Sequence, residues 1–220
     1  MQLILLTKYY FNIIYLKYNG KRAYSEQNTG LWWENAEKSL PIGAKLLSLI
    51  LYSDATNADT LGKKQLHPIY VSIGNIKNWR HNKSDAKQLL GYLPILKAGT
   101  SKDAAREAFH NSLKVLLEPL LDDNSINLTL DGKTIWFYSK VSTIIADWPE
   151  AATYCLTYKS SMSNLPCHFC LVTRNNLADI NLNTNEIELR THDHMHQLFN
   201  QKLTNSVCIK NIPNFFWNLP

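Results

Sequence analysis

Cysteine is scarce in this chain of 220 residues. Cys155, Cys167, Cys170 and Cys208 are too few and too unevenly spaced for the disulfide framework of a secreted domain, which favours a reducing compartment. Charge is sparse as well: only 19% of residues are charged, so solubility does not rest on a highly charged surface. No apolar run is long enough to span a bilayer, since Lys8 and Lys17 interrupt the apolar and aromatic stretch from Met1 to Tyr18. That stretch also lacks the early positive charge and the small-residue cleavage site of a secretory signal before Gly20. It reads instead as a strand or helix packed on the domain, or as a product of where the chain was cut. Neither an internal repeat nor a disordered tract is evident. The hydrophobic fraction of 45% is ordinary for a globular protein, and the length suits one domain with a sizeable core, with or without a small insertion.

What is present is a modest excess of positive charge. A net charge of +5 favours acidic partners, nucleic acid among them, because the field of the protein raises encounter with polyanions. Lys63, Lys64, Lys77, Arg80, His81 and Lys83 cluster in one part of the chain with Trp79 interleaved. A phosphate-contacting surface needs that combination, and a solvated loop face would show it too.

The most informative feature is an apolar run, Leu46 to Tyr52, that ends in Ser53 and Asp54. A carboxylate at the carboxyl end of a buried strand is held rigidly while still reaching solvent, where it can meet a metal ion or a phosphate. The arrangement recurs where Ile144, Ile145 and Ala146 lead into Asp147. Between the two, His67 to Ile76 alternates as a second strand, and Leu89 to Leu96, with Gly91 and Pro94, reads as an irregular or edge strand. Short connections among the three suggest an antiparallel meander. Thr100, Ser101 and Asp103 supply cap chemistry for an amphipathic helix carrying Phe109, Leu113, Leu116 and Leu117, which Pro119 ends or kinks. Strands at Ile126 to Leu130 and Thr134 to Ile145 flank the tight turn Asp131 and Gly132, so Asp131 is explained as a turn residue and stays outside the site. Pro149 and Glu150 suit the first turn of a further helix reaching Tyr158. In the N-terminal part, Trp32 and Trp33 fit an anchor on the core better than a stacking platform for a nucleobase.

Three strands, a helix, a strand bearing a carboxylate and another helix follow the order of the ribonuclease H-like α/β fold, a mixed sheet flanked by helices. The expected organisation is an N-terminal extension over 1–43, the first part of the core over 44–160, and a cysteine and histidine-containing insertion with an incomplete C-terminal part over 161–220.

Residue identity sharpens this. The stretch "RAYSEQNTGLWW" from Arg22, then Leu40 and Pro41, "LYSDATNADTLGKKQLHPIYVSIGNI" from Leu51, "LLGYLPIL" from Leu89, "ADWPEAA" from Ala146 and "LPCHFCLVTRNNL" from Leu165 follow in one order. In that order they resemble the Plavaka group of fungal transposases, relatives of the CACTA elements, over most of the chain from about Lys21.

The resemblance implies a DDE enzyme, in which acidic residues on a ribonuclease H-like core hold two Mg²⁺ or Mn²⁺ ions for DNA strand cleavage and transfer. Asp54 would be the first carboxylate and Asp147 the second. It also implies transposon-end DNA as partner, with Lys63, Lys64, Lys77, Arg80 and Lys83 as candidate contacts. A nuclear location follows, with no membrane association and with room for a homo-oligomer. The third carboxylate of the family lies on a later helix, and no substitute is found before Pro220. The chain therefore reads as a truncated fragment, inactive alone. The alternative is a DNA-binding, domesticated or decayed derivative without chemistry. Cys167 and Cys170, with two residues between them, can present two thiolates to Zn²⁺, with Cys155, His192, His194 or His196 as weaker candidates for further ligands. Two reduced thiols in a loop, and a surface helix with exposed imidazoles, are the plain readings of the same residues. Cys208 is read as a small core hydrophobe.

Overall fold

The computed structural model describes residues 9–57, 65–96, 99, 101–121, 125–158 and 162–219. Lys63 and Lys64 lie outside the described residues. The N-terminal elements are β1 (Leu16–Tyr18), β2 (Lys21–Ala23) and α1 (Leu31–Lys38). Then come β3 (Lys45–Ser53), the two-residue strands β4 (Thr56–Asn57) and β5 (Gln65–Leu66), β6 (Pro68–Ile73), the single turn α2 (Asn78–His81) and β7 (Lys87–Tyr92). The remaining elements are α3 (Lys102–Leu117), β8 (Ser125–Leu130), β9 (Lys133–Ile145), α4 (Trp148–Tyr154) and α5 (His192–Asn200).

Five strands form one mixed sheet in the order β7-β6-β3-β9-β8. The first three pair antiparallel, as expected for a meander, and β9 lies parallel to the central β3. The hairpin β8–β9 closes through Asp131 and Gly132, both at positive φ (51° and 74°), the backbone that a two-residue turn with the right twist demands. Leu93 donates its N–H to the His67 carbonyl at 2.7 Å, one residue past β7, and Pro94 has no N–H to carry the ladder further. The third strand therefore begins and ends earlier than its apolar pattern suggested.

Helix α3 starts where the Ser101 hydroxyl accepts the Ala104 N–H at 3.1 Å. Its Phe109, Leu113 and Leu117 recur at helical spacing and pack on Leu51, Ile69 and Leu93 from the sheet, together with Tyr154, Phe215 and Phe216. Alternation along β3 sends Leu51 toward this cluster and Leu46 toward the opposite face, where Tyr10, Trp33 and Ala36 cover it. The aromatic residues Phe215 and Phe216 thus belong to the core. Trp33 is fully buried and Trp32 half-exposed, so the pair anchors α1 rather than forming a stacking platform.

His110, on α3, is buried, and its tautomer is fixed. The Phe215 N–H donates to Nδ1 at 3.3 Å, so Nε2 carries the proton donated to the Thr153 carbonyl at 3.1 Å. Burial drives its pKa down from 6.5 to about 4. A depressed value means that the unfolded chain binds the proton first, so the contribution to stability is complete above pH 6.5 and is lost as pH falls toward 4. The expected loss across that window is about 3 kcal/mol. Urea titrations at stepped pH should show it, and His110→Gln should flatten that part of the profile.

Candidate functional site

Tyr52 of β3 lies opposite Ile145 of β9 in a parallel pair, so the two strands leave the sheet side by side. Asp54 and Asp147 each follow two residues later, and both line a single cavity of 540 Å³. Each aspartate is solvent-exposed although its strand is held in the sheet. The same cavity is lined by His67, Lys102, Arg106 and Glu150.

Asp147 has a structural duty as well. It is the N-cap of α4, its Oδ1 accepting the Glu150 N–H at 2.7 Å. Asp-x-x-Glu is a capping-box spacing, in which the Glu side chain would return to its own helix start. The Glu150 side chain reaches across to the sheet, where Oε1 accepts the Ser53 hydroxyl in a short hydrogen bond and lies 2.8 Å from His67 Nε2. His67 Nε2 also stands 3.0 Å from Ser53 Oγ, closing a buried triangle. Ser53 precedes Asp54, and Glu150 is held by Asp147. One hydrogen-bonded unit therefore fixes both strand ends. Tyr52 adds a longer contact, its hydroxyl donating to Asp54 Oδ2 at 3.4 Å. Burial, then the neighbouring Asp54 charge, raises the pKa of that phenol.

Ser53, His67 and Glu150 were not legible as site residues. The one sequence signal was the Asp-x-x-Glu spacing, which reads equally as a helix start. Lys102 and Arg106 were missed too, because they sit on the amphipathic helix as ordinary cations. Of the basic residues singled out, Lys77, Arg80 and Lys83 follow β6, beyond the end where Ile73 pairs with Leu49. Asp54 lies past Ser53, at the other end of the pairing, about 13 Å of strand away. Arg80 is paired with Asp85 at 2.5 Å. The lysine and arginine that line the same cavity as the aspartates are Lys102 and Arg106.

Cys167 and Cys170 lie in a turn tied to the segment before α5, Leu171 donating to the Glu188 carbonyl and Arg190 to that of Phe169, both at 2.9 Å. At its centre is Arg190. Its guanidinium donates to the carbonyls of Leu165, Cys167, Cys170 and Val207 at 2.6 to 3.2 Å. Cys155 lies close enough to feel the Arg190 charge and the Cys167 thiol, and burial pushes its own thiol up to about 11. Cys155 and His192 line one cavity. His194 is instead paired with Glu188 at 3.1 Å, and His196 stacks on Trp217 at 5.3 Å. Cys208 is buried, as a small core residue would be.

Mg²⁺ retains water and is commonly held by one or two carboxylates plus substrate phosphates. Two exposed aspartates at neighbouring rigid strand ends fit that donor set. Among the described residues no three His, Cys, Asp or Glu side chains form a group that could enclose a metal by themselves. No helix among them is long and apolar enough to cross a membrane.

A family model described as Plavaka transposase matches residues 9–219, nearly the whole chain. No curated protein matches it.

Proposed function

Since the chain belongs to the Plavaka transposase family, we propose that it carries the first two acidic residues of a DDE-type nucleotidyl-transfer site, acting on transposon-end DNA in the nucleus. The observation that carries this reading is the convergence of Asp54 and Asp147 at the ends of adjacent parallel strands, in one cavity. The sheet supports a ribonuclease H-like assignment, since a three-strand antiparallel meander passes through α3 and a hairpin to a strand parallel with the first.

Asp54 and Asp147 would hold Mg²⁺ or Mn²⁺. Such ions, when bound, supply charge stabilisation to the phosphate and activate the attacking oxygen. The chain's own contribution is rigidity. Ser53, His67 and Glu150 restrain the strand ends, and the cap bond orients Asp147 toward the start of α4. For the cysteine turn, the reading is structural Zn²⁺ on Cys167 and Cys170 with Cys155 as the adjacent candidate.

Calorimetric titration of the chain with Mn²⁺ tests the site. Binding should be lost in Asp54→Ala and in Asp147→Asn, the latter keeping an acceptor for the cap. Mn²⁺ uptake indifferent to both substitutions, or none at all, would sink the metal-site reading. A second reading is DNA binding without chemistry. It predicts duplex binding that neither aspartate substitution nor Mn²⁺ alters.

A further inference from the structure

The cavity holding Asp54 and Asp147 also contains a buried cation whose protein partners are poor. Arg106 is 8% exposed and lines the cavity. Its Nε–H has no acceptor among the described residues. Among the described residues Nη1 reaches only the Lys102 carbonyl at 3.5 Å and Asp103 Oδ1 at 3.4 Å, both at the limit of a hydrogen bond. Asp103 is largely exposed and is held more closely by Lys210 Nζ, at 2.9 Å. A guanidinium taken out of water with one stretched, solvent-exposed counter-charge is costly, and an anion entering the cavity would offset that cost. Lys102, one turn earlier on α3, lines the cavity too.

Two aspartates repel a phosphate, so a phosphodiester brought to them needs cations on the facing wall. Arginine suits that task because its planar fork of donors matches phosphate oxygens. We infer that Arg106, assisted by Lys102, forms the subsite that holds a non-bridging phosphate oxygen of the DNA strand lying over Asp54 and Asp147. This rests on the transposase-site reading and adds to it the group that positions the substrate. Arg106 is then a binding residue in the same cavity as the aspartates, separate from the basic segment after β6.

The test uses the full chain, with a short fluorescent duplex and inorganic phosphate titrated in separate arms. Arg106→Gln should weaken duplex binding about tenfold and reduce the salt slope by about one phosphate contact. Arg106→Lys should restore the slope while recovering only part of the affinity, and Mn²⁺ binding should survive in both. Unchanged duplex affinity and slope in Arg106→Gln would overturn the subsite. So would weakened phosphate binding with intact duplex binding, which would mark a site for a free anion only. If Arg106→Gln does not fold, the unaltered protein decides: its Arg106 Nε–H resonance should shift on adding duplex, and a resonance that stays in place would overturn the inference. An intact Arg106 effect in a chain that takes up no Mn²⁺ would instead sink the metal reading and leave the phosphate subsite standing.

Discussion

Glu150→Ala is expected to destabilise the protein by about 3 to 5 kcal/mol, the range for removing one member of a buried polar pair and leaving its partners unsatisfied. Ser53 is wholly buried, and His67 is only partly open to solvent. Both direct their polar atoms at Glu150 Oε1. Truncation leaves a hydroxyl and an imidazole without that acceptor, and each such group costs about 1 to 3 kcal/mol. Glu150→Gln retains an oxygen in place and should cost much less, about 1 kcal/mol. Urea midpoints for the two variants check this. An alanine variant as stable as the glutamine variant would mean that the triangle contributes nothing and that Asp54 and Asp147 are held by the sheet alone. The same triangle ties the end of β3 to the first turn of α4.

Trp33→Ala should be comparably severe, about 3 to 5 kcal/mol. The indole is fully buried, packed edge-on against Tyr10 at 5.3 Å and seated over Leu46 with Ala36. Tyr10, its ring neighbour, is anchored by its hydroxyl to the Gly74 carbonyl and so is held back from the space of the lost ring. Thermal or urea unfolding followed by tryptophan-independent circular dichroism measures the loss. Trp33 and Glu150 belong to different packing groups without a shared partner. The double variant should therefore show the sum of the single effects to within about 0.5 kcal/mol. A Trp33→Ala cost below 1 kcal/mol would show that α1 and the segment around Tyr10 are appended to the sheet without stabilising it.

Much of the architecture was legible because its signals are local. The Leu46 to Tyr52 run, the alternation after His67, the cap and apolar spacing of α3, and the Asp131–Gly132 turn each follow from neighbours in the chain, and each element formed where expected. Asp54 and Asp147 were legible for the same reason: each is the first acid after an apolar strand. The third strand and the helix after Asp147 were displaced or shorter, since their ends depend on which backbone group finds a partner, as Leu93 does at His67.

The remainder of the site was not legible, and distance along the chain explains it. Ser53 meets Glu150 across 97 residues, and His67 meets it across 83. No periodicity encodes such a meeting; it exists only once β9 lies beside β3 and α4 turns back over the sheet. Glu150 looked like a favourable charge at a helix start, and Arg106 like one cation among many on a helical face. Conversely, the basic run from Lys77 to Lys83 looked like the natural phosphate surface, yet none of Lys77, Arg80 and Lys83 lines the cavity that holds the aspartates.

The sequence by itself determined the kinds of element, their order and two strand-end carboxylates, because propensity and alternation act over a few residues. Tertiary structure alone decided that those carboxylates share a cavity, that Glu150 is bound inward to Ser53 and His67, and that a buried arginine lines the same cavity. Those outcomes depend on strand pairing and helix docking, where the energy of burying and satisfying polar groups is settled between residues far apart in the chain.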